Sequence, residues 1–257
     1  WAWLRVLALG LHPEWATCNK LAPPKRRSDA FREREAPMVN EGQRPIAKDH
    51  DVPDQWKDPT FVQNWVTRDD GRIDERAPMI NDTVAKIPFE RDAVLRVLDV
   101  GGGTSFLADR LLALGYKVGV MDISEVALDQ SKARLGTEAT AVEWIHADVL
   151  NFVPRHPWDV WHDRAVFHFL TDQRDRLAYK STLLRTLASD GVAVIATFGP
   201  NAPERCSGLP TVRYSAELLA RELGEDFVLT ADALELHRTP RGETQAFVYC
   251  AFRRAAA

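Results

Sequence analysis

Cysteine is scarce in this chain, and so are several other signals that would indicate a specialised class of protein. The 257 residues contain three cysteines, Cys18, Cys206 and Cys250, with no Cys-x-x-Cys pair and no spacing typical of a disulfide framework. The formal net charge of −4 gives no general attraction to nucleic acid. No apolar run approaches the ~20 residues that span a bilayer, and no ligand spacing predicts a metal site. We therefore expect a soluble, cytoplasmic monomer or homodimer with no nucleic-acid or membrane partner.

The N-terminal part of the chain lacks any persistent helical or strand periodicity. We predict a poorly ordered extension over residues 1–50. The sequence begins with Trp, and Met38 opens a stretch that fits a natural start, so we expect residues 1–37 to lie outside the natural protein. Residues 51–92 carry apolar positions at helical spacing and are predicted to form a helical lid or cap, with helices over Phe61–Val66 and Arg76–Ile87.

From residue 93 onward, apolar runs suited to buried strands alternate with segments of helical periodicity. The predicted strands are Val94–Val100, Lys117–Met121, Val142–His146, Trp158–His162 and, after a turn at Gly191, Val192–Phe198. The predicted helices are Phe106–Leu114, Ser124–Leu135, Thr171 or Asp172 to Leu187, and Ser215–Leu223. Two further strand-like runs, Phe227–Leu236 and Thr244–Phe252, flank a turn. The sequence therefore predicts a doubly wound, seven-stranded Rossmann-like α/β sheet over residues 93–254, mostly parallel, with one antiparallel strand from a C-terminal hairpin.

A glycine-rich turn joins the first predicted strand to the first helix, where doubly wound folds bind nucleotides. It reads Asp99-Val-Gly-Gly-Gly-Thr-Ser105. The dinucleotide fingerprint needs a third glycine at position 106, and Phe106 there counts against a nicotinamide enzyme. The turn instead resembles the acidic-x-Gly-x-Gly-x-Gly pattern of S-adenosylmethionine-dependent methyltransferases, with Ser105 in place of the last glycine. A tight turn without a ligand is the alternative. The cofactor-binding residues predicted here are Asp99, Gly101, Gly102 and Gly103.

Two further acids follow the next two predicted strands. Asp122 ends the second strand, 21 positions after Gly101, where a carboxylate can accept both ribose hydroxyls. Asp148 follows the third strand, where it can accept from the adenine amino group while Val149 packs on the ring. Ile123 is predicted to bind the cofactor beside the ribose carboxylate. Because the carboxyl ends of parallel strands meet at one edge of a sheet, these residues predict one cofactor-binding edge.

Together these motifs resemble class I S-adenosylmethionine-dependent methyltransferases of the seven-stranded type over residues 93–254. The resemblance implies S-adenosyl-L-methionine as the cofactor and a methyl acceptor as the partner. A closer resemblance is to a bacterial subgroup of methyltransferase-domain proteins, distantly similar to the citrate synthase lysine methyltransferase of mitochondria. It rests on Trp158–Leu170, Glu204–Pro210 and His237–Gln245. Those lysine enzymes carry Asp-Lys-Gly-Thr after strand four, and only Asp163 of that set is kept, so a small-molecule acceptor is the main prediction and a protein lysine the alternative.

Methyl transfer from a sulfonium mainly requires positioning and exclusion of water, and a carboxylate near the nucleophile can accept a proton. Asp163, just past the fourth predicted strand, is therefore the predicted catalytic residue. The alternative for it is a structural role, pairing with Arg164 or Arg174 or capping a turn. Arg213, before the last helix, is a candidate for binding a substrate carboxylate. A module that binds the cofactor without catalysis is a further alternative.

Overall fold

A seven-stranded sheet lies at the centre of the described residues in a computed structural model. The structure describes Thr60, residues 94–238 and residues 242–255. The predicted extension over residues 1–50, and the predicted lid over residues 51–92 apart from Thr60, lie outside that part, so the domain bounds stay predictions. The strands are β1 (Arg96–Val100), β2 (Lys117–Asp122), β3 (Val142–His146), β4 (Trp158–Arg164), β5 (Leu187–Phe198), β6 (Arg205–Cys206), β7 (Leu209–Pro210), β8 (Phe227–Arg238) and β9 (Thr244–Arg254).

The strand order of the main sheet is β3-β2-β1-β4-β5-β9-β8. Neighbours from β3 to β5 pair in parallel, whereas β9 is antiparallel to both β5 and β8. β8 therefore points the same way as β1, and β9 is the one antiparallel strand of the seven described. The predicted doubly wound sheet with a closing hairpin is confirmed. The short antiparallel pair β6–β7 forms a separate sheet that the sequence did not predict.

Helices connect the parallel strands. They are α1 (Leu107–Ala113), α2 (Glu125–Leu135), α3 (Gln173–Thr186) and α4 (Ala216–Leu223). Ser124, Asp172 and Ser215 begin α2, α3 and α4, and each side chain accepts a backbone N–H of the first turn. Gly136 and Gly224 follow the ends of α2 and α4 with positive φ. No helix within the described ranges is long and apolar enough to cross a membrane.

Both faces of the sheet are covered, as the continuous apolar strands require. Successive residues of a strand point to opposite faces, and Val97 and Leu98 of β1 belong to different apolar clusters. Val97 packs in the cluster that includes residues of α1 and α2. Leu98 packs in the cluster that includes residues of α3 and α4. The helices therefore cover the two faces of the sheet, and the loops that follow the strands lie at the carboxyl edge of β1–β5.

One connection differs from the sequence prediction. Strand β5 begins at Leu187, immediately after α3, and not after a turn at Gly191. Leu187 lies opposite Trp158 and Val192 lies opposite Val160, so the four residues between them bulge out of the register. A Cβ at Gly191 would stand 2.7 Å from the Leu187 side chain, which explains the glycine in this bulge. The run from Val192 onward keeps the predicted strand in regular register.

Candidate active site

The glycine turn after β1 is fixed by its backbone to the neighbouring strand. The N–H groups of Gly101 and Gly102 donate to the Met121 carbonyl of β2, at 2.7 and 3.2 Å. Gly101 (φ 65°) and Gly103 (φ 45°) have left-handed backbone conformations that favour glycine. A Cβ at Gly101 would overlap the Val166 side chain, and one at Gly102 would crowd side chains beneath it at 2.7 and 2.8 Å. All three glycines of the predicted cofactor loop are therefore required by the geometry of the turn.

Helix α2 binds three successive carbonyl groups of this loop. The Ser131 hydroxyl donates to the Gly103 carbonyl at 2.7 Å. The Arg134 guanidinium donates to the Thr104 carbonyl at 2.9 Å and to the Ser105 carbonyl at 2.7 Å. These bonds fix the orientation of the peptide groups from the side of α2. We call this set, Ser131 and Arg134 on the three carbonyls, the loop clamp.

Two positions at which the loop departs from known glycine motifs contribute to this arrangement. The Ser105 hydroxyl accepts the Leu107 N–H at 3.1 Å and so serves the first turn of α1. The Phe106 ring lies under the Arg134 guanidinium, 4.1 Å from its Cζ. Arg134 is also held by Asp109 through two bonds, at 2.9 and 3.2 Å. Ser105 and Phe106 thus stabilise a loop that is hydrogen-bonded to α2.

Asp99 is buried against the loop and pairs with a histidine of β4. Asp99 is 3% exposed and His162 is 4% exposed. The Nδ1–H of His162 donates to Oδ1 of Asp99 at 2.7 Å. The other carboxylate oxygen, Oδ2, has no hydrogen-bond partner and stands 2.7 Å from where a Cβ of Gly102 would be. Asp99 therefore supports the loop through its side-chain packing. Its Oδ2 receives no hydrogen bond from the described residues.

Asp122 lies at the end of β2 beside the same loop. Its Oδ1 accepts the Ser124 N–H at 2.8 Å. Burial raises the pKa of the Asp122 carboxyl to about 6, against the lowering effect of N–H bonds from Ser124 and Gly103. Ile123 is partly exposed, and its carbonyl accepts from the His146 ring at 3.1 Å. Asp122 thus lies against Gly103 of the glycine loop, and the contact described for Ile123 is with His146.

Asp148 lies beyond the end of β3 and keeps one buried acceptor unused. Its Oδ1 accepts the Leu150 N–H at 2.9 Å, and its Oδ2 is buried without a hydrogen-bond partner. Val149 is partly buried and packs against the apolar cluster on the α3 side. The Ala147 N–H donates to the Asp122 carbonyl at 3.1 Å, which ties the ends of β3 and β2 together. An unused acceptor at this edge suits a ligand with an amino donor.

Asp163 is completely buried and fully engaged by its own chain. Its Oδ1 accepts the Val166 N–H at 2.9 Å, and its Oδ2 accepts the Phe167 N–H at 3.1 Å and the Tyr179 hydroxyl at 2.6 Å. The Tyr179 oxygen in turn accepts the indole N–H of Trp161 at 2.8 Å. Burial raises the pKa of Asp163 to about 6 despite these bonds. The geometry favours the structural alternative for Asp163, and its catalytic role stays a prediction.

The turn that Asp163 holds is strained. Ala165 has φ 71°, a backbone conformation that residues other than glycine rarely adopt. This conformation costs on the order of 1 kcal/mol. Its N–H donates to the Ala196 carbonyl at 2.9 Å. This turn presses Val166 against Gly101, so the segment after β4 defines one wall of the glycine loop. Such strain is common where a backbone is shaped for a ligand.

The predicted acids of β1 and β2 converge on the glycine loop, and Asp148 lies at the same edge. The loop clamp and the Asp99 partner His162 were not predicted. Ser131 and Arg134 are three positions apart on α2 and so share one face, which is the only signal in the sequence that could have found them. Across the described ranges, no group of three or more His, Cys, Asp or Glu side chains is placed to hold a metal ion.

The chain is similar to known methyltransferases across this region. Residues 97–191, from β1 into β5, match the family model described as "Methyltransferase domain". No curated protein sequence matches the chain significantly. The comparisons therefore agree with a methyltransferase domain, and they add no support for the closer likeness to the citrate synthase lysine methyltransferase.

Solved structures with the same fold come from several bacteria. The 1,6-didemethyltoxoflavin-N1-methyltransferase of Burkholderia thailandensis, with its substrate and S-adenosylhomocysteine bound, is 18% identical, covering 83% of this chain and 93% of its own, with a TM-score of 0.59. The N-methyltransferase NodS of Bradyrhizobium japonicum, with S-adenosylhomocysteine bound, is 17% identical, covering 63% and 79%, with a TM-score of 0.52. The glycopeptide N-methyltransferase MtfA with S-adenosylmethionine is 14% identical, covering 70% and 87%, with a TM-score of 0.53. At these identities the likeness shows the fold alone, the Rossmann-like fold that these methyltransferases share.

Proposed function

We propose that this protein is an S-adenosyl-L-methionine-dependent methyltransferase that acts on a small-molecule nucleophile. The observation that carries the proposal is the carboxyl edge of β1–β3. There, three glycines with a required backbone geometry stand beside Asp122, and buried acceptor oxygens of Asp99 and Asp148 have no hydrogen-bond partner among the described residues. The match of residues 97–191 to a methyltransferase domain supports the same function.

The residues at this edge fit the proposed cofactor. A partly buried carboxylate at Asp122 suits the ribose hydroxyls, which are hydrogen-bond donors. The unused Oδ2 of Asp148 suits the adenine amino group, with Val149 against the ring. The turn at Gly101–Gly103 lets the backbone approach a ligand without Cβ obstruction. Solved structures of the same fold hold S-adenosylmethionine or S-adenosylhomocysteine, which is consistent with this assignment.

The chain's own residues have mainly a positioning task in this reaction. The cofactor supplies an electrophilic methyl group on a sulfonium, and transfer needs an in-line approach of the acceptor. Asp163 holds the strained turn at Ala165, which places Val166 against the glycine loop. We propose that Asp163 acts through this turn as a positioning residue, with direct acceptance of a proton as the alternative.

The class of acceptor is supported by the relatives of the fold. The Burkholderia structure contains bound 1,6-didemethyltoxoflavin, and another neighbour is a glycopeptide N-methyltransferase. These facts concern those proteins, and they favour a small molecule for this chain over a protein lysine. A protein acceptor stays the alternative, because one residue of the lysine-enzyme motif, Asp163, is present.

Binding and turnover can be tested separately. Calorimetry with S-adenosylmethionine, S-adenosylhomocysteine and NAD is expected to show binding of the two sulfur compounds only. A screen with labelled cofactor over small amines, thiols and carboxylic acids, and over lysate proteins, is expected to transfer label to a small molecule.

The outcomes distinguish the candidates. Absence of binding to either sulfur compound would overturn the cofactor assignment. Label on protein alone would favour the lysine alternative, and binding without turnover on any acceptor class would favour a non-catalytic binding module.

A further inference from the structure

Arg164, at the last position of β4, carries a charge that no acidic group in the described part of the chain balances through an ion pair. Its Nε donates to the Tyr249 hydroxyl at 2.9 Å, and its guanidinium lies over the Phe247 ring, 4.4 Å from the centroid. Its Nη2 is buried and has no hydrogen-bond partner in the described ranges. Among the described residues it forms no ion pair, although five other lysine and arginine side chains do. The guanidinium is therefore held in place with a donor group unused.

A second buried donor lies against the same aromatic ring. His168 is completely buried, and its ring centroid is 6.3 Å from that of Phe247. Its Nδ1 accepts the Phe198 N–H at 3.2 Å, so the hydrogen of the neutral ring is on Nε2, and Nε2 has no partner. Burial, and secondarily the charge of Arg164, lower the pKa of His168 to about 3, which keeps the ring neutral.

The nearby thiol does not supply a negative charge. Cys206 of the β6–β7 pair is close enough for the Arg164 charge to influence its pKa. Burial nevertheless raises the pKa of the Cys206 thiol above its usual value, because it outweighs the effects of Arg164 and of a bond with Ser207. The cation thus stands among a neutral thiol, a neutral imidazole and aromatic rings. A charged donor left unsatisfied in such surroundings is costly, and an anion that it could bind would remove that cost.

The position of Arg164 in the chain places the two unused donors, Nη2 of Arg164 and Nε2 of His168, near the proposed active site. It precedes the strained turn at Ala165, and the next residue, Val166, lies against Gly101 of the glycine loop. Arg213, which the sequence suggested for a substrate carboxylate, is engaged elsewhere. Its guanidinium donates to Glu204 and to a backbone carbonyl, both at 3.3 Å. Arg213 thus already has an acidic partner, whereas Arg164 keeps a buried donor unused among the described residues.

We propose that Arg164, assisted by the Nε2–H of His168, binds the carboxylate of a small molecule in the active site. The identity of that molecule rests on the proposed function: it is the methyl acceptor or the amino-acid end of the cofactor. Both carry the chemistry that the site lacks, a compact anion with lone pairs for two donors. The phenol of Tyr249 and the ring of Phe247 hold the guanidinium ready for it.

The first experiment tests the anion site without any turnover. Thermal unfolding is measured for the full chain with 20 mM acetate or benzoate, against acetamide, benzamide and an equal concentration of chloride. We expect the carboxylates alone to raise the Tm, by about 4 °C for a site with a Kd of about 1 mM. Arg164→Met is expected to lose this rise, whereas Arg213→Met, a matched loss of one arginine on a nearby loop, is expected to keep it.

The second experiment identifies which molecule carries the carboxylate. Affinities are measured for S-adenosylmethionine and for 5′-methylthioadenosine, which lacks the amino-acid end. If Arg164→Met weakens binding of the first about tenfold or more and spares the second, the carboxylate is that of the cofactor. If both affinities are unchanged, the variant is expected to lose a preference for acidic acceptors over their amides in kcat/KM.

The proposal would be overturned if carboxylates stabilise the wild type no more than amides, or stabilise Arg164→Met equally. Should Arg164→Met fail to fold, Tyr249→Phe provides the test, because it removes the phenol that positions Nε and is expected to reduce the carboxylate-induced rise. A full carboxylate-induced rise in Tm in both single variants, Tyr249→Phe and Arg164→Lys, would also count against the site. The wild type could instead fail to bind S-adenosylmethionine and still show the Arg164-dependent rise in Tm with carboxylates. That result would contradict the proposed function and would still support the anion site.

Discussion

Asp122 and Asp163 show how two aspartates with similarly raised pKa values differ in what remains available for a ligand. Burial raises the pKa of each carboxyl to about 6. Asp163 has 0% exposure, and its two oxygens accept three bonds from its own turn and from Tyr179. Asp122 is only partly buried and stands at the glycine loop. The exposure of the carboxyl group, rather than the residue type or its pKa, therefore separates the proposed ligand-binding carboxylate from the positioning one.

The role of Asp122 predicts a pH-dependent cofactor affinity. Its ionised form accepts two hydroxyl donors better than its protonated form, so lowering the pH from 7.5 to 5, through a pKa of about 6, is expected to weaken S-adenosylmethionine binding about tenfold. Asp122→Asn is expected to bind about 10- to 100-fold more weakly at pH 7.5 and to show little of this pH dependence. Calorimetry across this range measures both effects. Glu125→Gln, an exposed neighbour at the start of α2, serves as the control; an unchanged pH profile in Asp122→Asn would refute the ribose assignment.

Helix α2 is the element that determines the shape of the glycine loop. Its loop clamp binds three successive carbonyls, and Arg134 also stacks on Phe106 and pairs with Asp109. Sequence periodicity predicts α2 with its cap at Ser124 and its end at Gly136, and the structure confirms both. The clamp was not predictable, because it joins residues 28 to 30 positions apart whose meeting depends on how α2 packs on the sheet.

The clamp predicts a variant that loosens the loop from a distance. Arg134→Met removes both guanidinium bonds to the loop, and a bond from a charged donor contributes about 1.5–3 kcal/mol. We expect faster hydrogen exchange at the Ser105 and Leu107 amides and about tenfold weaker S-adenosylmethionine binding. Lys132→Met is the matched control, because Lys132 lies on the same helix and pairs with exposed Asp129. Equal exchange at the loop amides in the two variants would exclude the clamp as the cause of loop order.

At the scale of the whole molecule, the sheet brings the carboxyl ends of β1, β2, β3 and β4 to one edge. Short-range sequence signals predict each strand, and the parallel order then follows from the repeated β-α units. The same architecture buries carboxylates such as Asp163 beneath the loops. Their burial makes the stability of the molecule depend on pH in a direction opposite to that of ordinary paired acids.

A buried carboxyl with a raised pKa lowers stability as it ionises. The folded state holds the Asp163 proton up to about pH 6, whereas the unfolded chain loses it near 3.8, so stability falls as pH rises between these values. The shift corresponds to about 3 kcal/mol. Most of this shift falls between pH 4 and pH 7, so we expect the free energy of unfolding of the wild type, relative to Asp163→Asn, to be about 2 kcal/mol lower at pH 7 than at pH 4.

Urea unfolding at both pH values measures this difference. Glu217→Gln provides a control of opposite sign, because the Ser215 hydroxyl lowers the pKa of exposed Glu217. Relative to that variant, the wild type is expected to gain stability as pH rises. A pH-independent difference for Asp163→Asn would show that Asp163 does not titrate in the folded protein as described.

The sequence alone determined the fold class, the strand and helix positions to within a few residues, and the edge at which a ligand would bind. It could do so because apolar periodicity, caps and glycine turns act over short distances. The structure decided what long-range packing controls: the pairing of Asp99 with His162, the clamp from α2, and the enclosure of Asp163 by Tyr179. It also showed that Arg213 has a carboxylate partner and that Arg164 has none among the described residues. The sequence could not show this, because charge balance depends on neighbours that are distant in the chain.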